Sequence, residues 1–204
     1  MGRTMGRGRA DARLAVMSNS GPKRPATYEE LRQVPDHLVA EIVDGELVTS
    51  PRPAVRHAAA SSSMHSGLFA AFDRRGGGTP GGWVILFEPE LHIVDQILVP
   101  DLAGWRQERM PVLPDAAFIE VAPDWICEVL SPSTVALDRT RKMFHYARAD
   151  VAHLWLLDPQ PETLEIFRLE GGAWRLVISV AGPVKVAVEP FEVVELDLAR
   201  VWAR

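Results

Sequence analysis

Residues Trp125-Ile126-Cys127-Glu128-Val129-Leu130-Ser131-Pro132-Ser133 put an ionisable side chain in the middle of an apolar β-strand that a Ser-Pro break then stops. A carboxylate inside such a strand is costly to bury unless something pairs with it or neutralises it, and a bound metal cation is one effective partner. A second carboxylate, Asp101, stands on the apolar run Leu98-Val99-Pro100-Asp101-Leu102, and Lys142 follows on a segment with helical character. Two strand-borne carboxylates with a lysine nearby are what metal-assisted phosphodiester hydrolysis requires.

The rest of the composition sets the bounds. The 204 residues suit one domain, and 47% apolar with 24% charged residues lie in the globular range. No run of about 18 uninterrupted apolar residues is present, which excludes a membrane-spanning helix. A lone cysteine, Cys127, can form no internal disulfide and reads as a small buried hydrophobe. Residues 1–24 hold Arg3, Arg7, Arg9, Arg13, Lys23 and Arg24 against Asp11, a local net charge of +5; with the whole chain at −5, the remainder carries −10. This basic, Gly/Arg-rich arm without hydrophobic periodicity is expected to be disordered. It lacks the apolar core of a secretory signal, and with the single cysteine this points to a cytoplasmic protein. The acidic body argues against tight DNA binding through a broad basic face, though not against a narrow cleft where metal ions offset carboxylates.

Along the chain, Thr27 and Glu30 form a capping box for a helix over 28–34, which Pro35 ends. Asp44-Gly45 turns Leu38–Val43 into Glu46–Thr49 as a hairpin. Residues 54–73 read as a helix with an apolar stripe through Met64, Leu68, Ala71 and Phe72. A glycine-rich loop over 74–82 precedes strand-like runs at 83–87, 91–94 and 97–105, and residues 106–123 are Pro-rich and irregular. The strand at 124–130 precedes one helix over 135–149 and strands at 151–157, 163–169, 174–180 and 191–196. Trp105, Trp125, Trp155 and Trp174 read as core aromatics. The pattern predicts a mixed α/β (α+β) fold: a mixed β-sheet flanked by helices, as one domain over 25–204 behind the basic arm 1–24.

An ordered set of short motifs runs through the same residues. It opens with Ala40-Glu41-Ile42-Val43-Asp44-Gly45-Glu46-Leu47, Ser50-Pro51, His57 and Val99-Pro100-Asp101. It continues with Glu128-Val129-Leu130-Ser131-Pro132-Ser133-Thr134, Asp138-Arg139, Lys142, Tyr146 and Leu154-Trp155-Leu156-Leu157-Asp158-Pro159. In this order they resemble the Uma-type restriction endonucleases, a branch of the PD-(D/E)xK nuclease superfamily, over roughly residues 27–197. The resemblance implies a restriction-endonuclease-like core, with additional C-terminal strands, and a divalent metal at the sheet edge. Asp101 corresponds to the aspartate of PD, Glu128 to the acidic residue of (D/E)xK, and Glu41 to a glutamate from the N-terminal part of the fold. Leu130 stands where the superfamily usually has its lysine; the family motif places a lysine on the following helix instead, here Lys142.

That resemblance implies Mg2+ as cofactor, with Mn2+ as substitute, because magnesium takes hard oxygen ligands and is commonly held by one or two carboxylates. Asp101 and Glu128 are then expected as metal ligands, Glu41 as an auxiliary ligand, Lys142 as the cation that positions water, and DNA as the partner. Double-strand cutting would favour a homodimer. Each residue has a plainer reading as well: Asp101 as a turn residue, Glu41 on an exposed edge-strand face, Lys142 as a solvated partner of Asp138, His57 as structural and Tyr146 as core packing. Leu130 and the acidic body favour a second reading, an inactive nucleic-acid-binding or interaction protein that keeps the nuclease fold. The same ligands would also serve a hydrolase of small phosphate esters.

Overall fold

Local sequence rules account for the N-terminal elements. The Thr27 hydroxyl accepts from the Glu30 backbone N–H at 3.3 Å, and the Thr27 N–H donates to the Glu30 carboxylate at 2.8 Å, closing the capping box of α1 (Tyr28–Leu31). The helix is shorter than its sequence pattern predicts. Asp44 and Gly45, at φ +54° and +74°, make the two-residue turn between β1 (Leu38–Val43) and β2 (Glu46–Pro51). In helix α2 (Val55–Phe72), Met64, Leu68 and Phe72 are buried, as the stripe requires. The computed structural model describes residues 24–73 and 80–202. The basic arm up to residue 23 and positions 74–79 of the glycine-rich loop lie outside the described residues.

The strands that follow are β3 (Trp83–Phe87), β4 (Leu91–Ile93), β5 (Gln96–Leu98), β6 (Leu102–Arg106) and β7 (Trp125–Val129). Beyond the helical run come β8 (His153–Asp158), β9 (Thr163–Glu170), β10 (Ala173–Ala181), β11 (Lys185–Val186) and β12 (Leu196–Asp197). They form a four-stranded sheet in the order β2-β1-β5-β4, a six-stranded sheet in the order β10-β9-β8-β7-β6-β3, and a β11-β12 ribbon. Among the strand pairs of the described residues β7 and β8 alone run in parallel, so the larger sheet is mixed.

The larger sheet is covered on both sides. Trp125, Cys127 and Val129 of β7 face a core shared with α2, Trp155 and Phe191. Ile126 and Leu130 face the other core, with Val43 of β1, Leu98 of β5 and Tyr146. Every residue of β7 is therefore buried, Glu128 included. Gly104 on β6 lets the rings of Trp83 and Trp125 close over the strand; a Cβ there would lie 3.0 Å from Trp125 and 3.3 Å from Trp83.

Further expectations need correction. The run at 97–105 is two strands, not one. Pro100 has no N–H to give a ladder, and at Val99-Pro100-Asp101 the chain leaves the four-stranded sheet and joins the six-stranded one. The helix expected over 135–149 is α3 (Val135–Leu137), a π-turn (Asp138–Lys142) and α4 (Met143–Arg148), with the Met143 N–H reaching back to the Asp138 carbonyl. Residues 191–195 form no strand: Phe191 is instead a fully buried plug whose ring packs 4.7–5.6 Å from those of Phe72, Trp83, Trp125 and Trp155. Trp174 is only half-buried, donating its indole N–H to the Met143 carbonyl at 2.7 Å. Among the described residues no helix is long and apolar enough to cross a membrane.

Candidate active site

The link between the two sheets organises the site. Val99 can pair its backbone groups in neither sheet, so they turn to side chains: its N–H donates to Glu41 Oε1 at 2.8 Å, and its carbonyl accepts from Lys142 Nζ at 3.3 Å. Two residues on, Asp101 Oδ2 accepts the Val129 N–H at 2.8 Å, tying this link to the end of β7. Asp101 Oδ1 lies 3.3 Å from His57 Nε2 in the first turn of α2.

Lys142 is the centre of charge. Its ammonium lies 2.9 Å from Glu41 Oε1, 2.9 Å from Glu128 Oε1 and 3.7 Å from Asp138 Oδ1, with 3% of its side chain exposed. The buried Tyr146 hydroxyl donates to the same Glu128 oxygen. Leu130, two positions after Glu128, is packed into the apolar core, so the cation arrives from the π-turn rather than from β7. Glu41 lies on a strand with neighbours on both sides and is buried, not on an exposed edge. Lys142 is likewise no solvated helix residue. Glu41, Asp101, Glu128 and Lys142 all line one cavity of about 310 Å³, together with His57 and Asp138.

One ammonium does not balance four carboxylates. Burial, reinforced by the charges of Asp138, Asp101 and Glu41, raises the Glu128 pKa to about 8 despite Lys142. Asp138 is also raised, chiefly by burial. Burial works against the Lys142 ammonium, but Glu128 and Glu41 more than offset it and hold its pKa well above the ordinary lysine value. For His57, burial lowers the pKa, and the hydrogen bond and charge of Asp101 outweigh it, leaving a net rise.

Three of these groups carried little weight in the sequence: Asp138, His57 and Tyr146. Asp138, Lys142 and Tyr146 follow one another at four-residue steps, a polar stripe on one helical face that was the available signal. For His57 the signal was its place in the ordered motif set alone, because its partner Asp101 lies 44 positions away.

A mixed sheet flanked by helices, with carboxylates gathered at a strand end, defines the class: an α+β restriction-endonuclease-like nuclease fold. The family model described as "Uma2: Putative restriction endonuclease" matches residues 25–199, and the chain belongs to that family. A solved structure titled as that of a "putative nuclease belonging to DUF820", from Anabaena variabilis, superposes with a TM-score of 0.70 at 22% identity, covering 87% of this chain and 98% of that one. No curated protein matches the chain.

Proposed function

We propose that the protein is a Mg2+-dependent endonuclease that hydrolyses the phosphodiester bonds of DNA. The observation that carries this reading is the convergence of Glu41, Asp101 and Glu128 on one cavity with Lys142 among them. Among the described residues no three His, Cys, Asp or Glu side chains already stand as a ligand set. The donor chemistry nevertheless fits a hard divalent ion. All three are oxygen donors, and four carboxyl groups, with Asp138, line the cavity around the single ammonium of Lys142. One oxygen of each carboxylate is fixed by the fold, Glu41 Oε1 and Asp101 Oδ2 by backbone N–H groups and Glu128 Oε1 by Tyr146.

Asp101 and Glu128 are assigned as ligands and Glu41 as the auxiliary one. When bound, the ion supplies polarisation of the scissile phosphate and a lowered pKa for its water. Lys142 works as a cation and not as a base, because its carboxylate neighbours keep it protonated at neutral pH. It orients the attacking water and offsets the negative charge that builds on the phosphate. Tyr146 and the Val99 N–H hold Glu128 and Glu41 in orientation. We also assign the chain to the cytoplasm, as a single domain over 25–204, and to a homodimer where both strands are cut.

The test is cleavage of plasmid and single-stranded DNA at low salt with Mg2+ or Mn2+. Wild type is expected to cut, and Asp101→Ala and Glu128→Ala to lose cutting. Cutting by either variant at the wild-type rate, or none by wild type over a broad substrate panel, overturns the reading.

A further inference from the structure

Both Ser-Pro breaks of the sequence, Ser50-Pro51-Arg52-Pro53 and Ser131-Pro132-Ser133, come together on the wall of the cavity that holds Lys142. This has an electrostatic consequence. Among the described residues, five carboxylates line the cavity, those of Glu41, Glu88, Asp101, Glu128 and Asp138, against two permanent cations, Arg52 and Lys142. Lys142 is buried and engaged by Glu41 and Glu128. An anionic substrate approaching from solvent therefore meets Arg52 as the one exposed lysine or arginine of the lining among the described residues.

Arg52 is built to offer its charge outward. Its side chain is 55% exposed and flanked by two prolines that restrict the backbone. One terminal nitrogen is anchored by donating to the Asp36 carbonyl at 2.8 Å, while the other forms a loose ion pair with Glu88 at 3.6 Å, which a phosphate would have to share or displace. A guanidinium has five N–H donors in a planar fork, so most remain free for a phosphate. The other break supplies neutral donors. Ser131 Oγ lies 2.9 Å from Ser133 Oγ and 3.0 Å from Thr134 Oγ1, a hydroxyl cluster whose outer member, Ser133, is exposed.

We propose that Arg52, with the Ser131–Ser133 hydroxyls, forms a phosphate-binding site at the cavity mouth that holds a phosphodiester of the polynucleotide backbone. The site deepens the nuclease reading and rests on it for the identity of the polyanion. Arg52 is a binding residue that neutralises a phosphate and fixes the strand, without touching the reacting bond. Such contacts position a nucleic acid without reading its sequence.

The experiment measures binding of a fluorescent DNA duplex by anisotropy, with Ca2+ replacing Mg2+, across a salt series for wild type, Arg52→Ala, Arg52→Lys and Ser133→Ala. The same proteins are titrated calorimetrically with dithymidine monophosphate diester, and cleavage is followed with Mn2+. For Arg52→Ala the expected result is about tenfold weaker DNA binding and a salt slope about one unit shallower, because one phosphate contact is lost. Arg52→Lys keeps the slope while losing part of the affinity, and Ser133→Ala weakens binding by a smaller factor. Wild-type affinity and slope in Arg52→Ala, with wild type still cutting DNA, overturns the phosphate site and leaves the nuclease reading standing. Binding of the dinucleotide that disappears in Arg52→Ala, with no cutting by wild type, upholds the site and overturns the nuclease reading.

Discussion

At the scale of single residues, Glu128 ties stability to pH. Its pKa rises from 4.5 to about 8 on folding, so between those values the folded chain keeps a proton that the unfolded chain releases. Stability contributed by this group is full below about pH 4.5 and is lost as pH climbs toward 8. His57, Asp138 and Glu88 have the same sign and His153, whose pKa burial lowers, the opposite one, but all persist in a Glu128→Gln variant, so the comparison reads the change made at residue 128. Denaturant melts from pH 5 to 8 are expected to show wild type losing stability relative to Glu128→Gln; parallel curves would contradict the raised pKa. Lys142→Met removes the cation from a buried cluster and leaves carboxylates facing one another. It is expected to cost about 3–5 kcal/mol, the range for breaking a buried pair. A loss below about 1 kcal/mol, the scale of an exposed pair, would mean that Lys142 is not held as described.

At the scale of elements, the π-turn is where the helix expected over 135–149 departs from uniform winding. Apolar spacing over 135–149 reports helix, but nothing in it reports the i→i−5 bond by which Met143 reaches Asp138. The hairpin, α2 and β7 were legible because turn residues, an apolar stripe and a bounded apolar run are local signals. The break at Pro100 was not, since it depends on two sheets that meet there. The β1–β2 turn in turn holds the π-turn. Asp44 Oδ2 accepts from Arg141 Nε at 2.7 Å, its Oδ1 lies 2.7 Å from His145 Nε2, and its N–H donates to Gln96 Oε1 at 2.6 Å. Those contacts flank Lys142 on one side and join β1, which carries Glu41, on the other. Asp44→Ala is expected to lower the cleavage rate more than substrate affinity, with Asp44→Asn recovering part of the rate because it retains an acceptor and tolerates positive φ. An unchanged rate in Asp44→Ala would show that the turn does not position the lysine.

At the scale of the whole molecule, the fold concentrates negative charge at the junction of two sheets, and that excess should couple metal binding to both folding and protonation. Asp101 and Glu128 were legible as candidates from the sequence, but their common cavity was not, because it is made by the β5-to-β6 crossover. An ion that binds the folded state alone stabilises it by about 2.7 kcal/mol at a hundredfold excess over Kd. In a chain of this size, each kcal/mol raises Tm by about 2–4 °C, giving a shift of roughly 5–10 °C. Glu128, with a pKa near 8, is largely protonated at pH 6.5, so an ion that took it as a ligand would have to displace that proton. Calorimetry with Mn2+ is therefore expected to show proton release on binding and an affinity that increases from pH 6.5 to 8, with both lost in an Asp101→Ala/Glu128→Ala double variant. Equal Tm shifts in wild type and double variant would place the ion elsewhere. Binding without proton release would mean that Glu128 is not among its ligands.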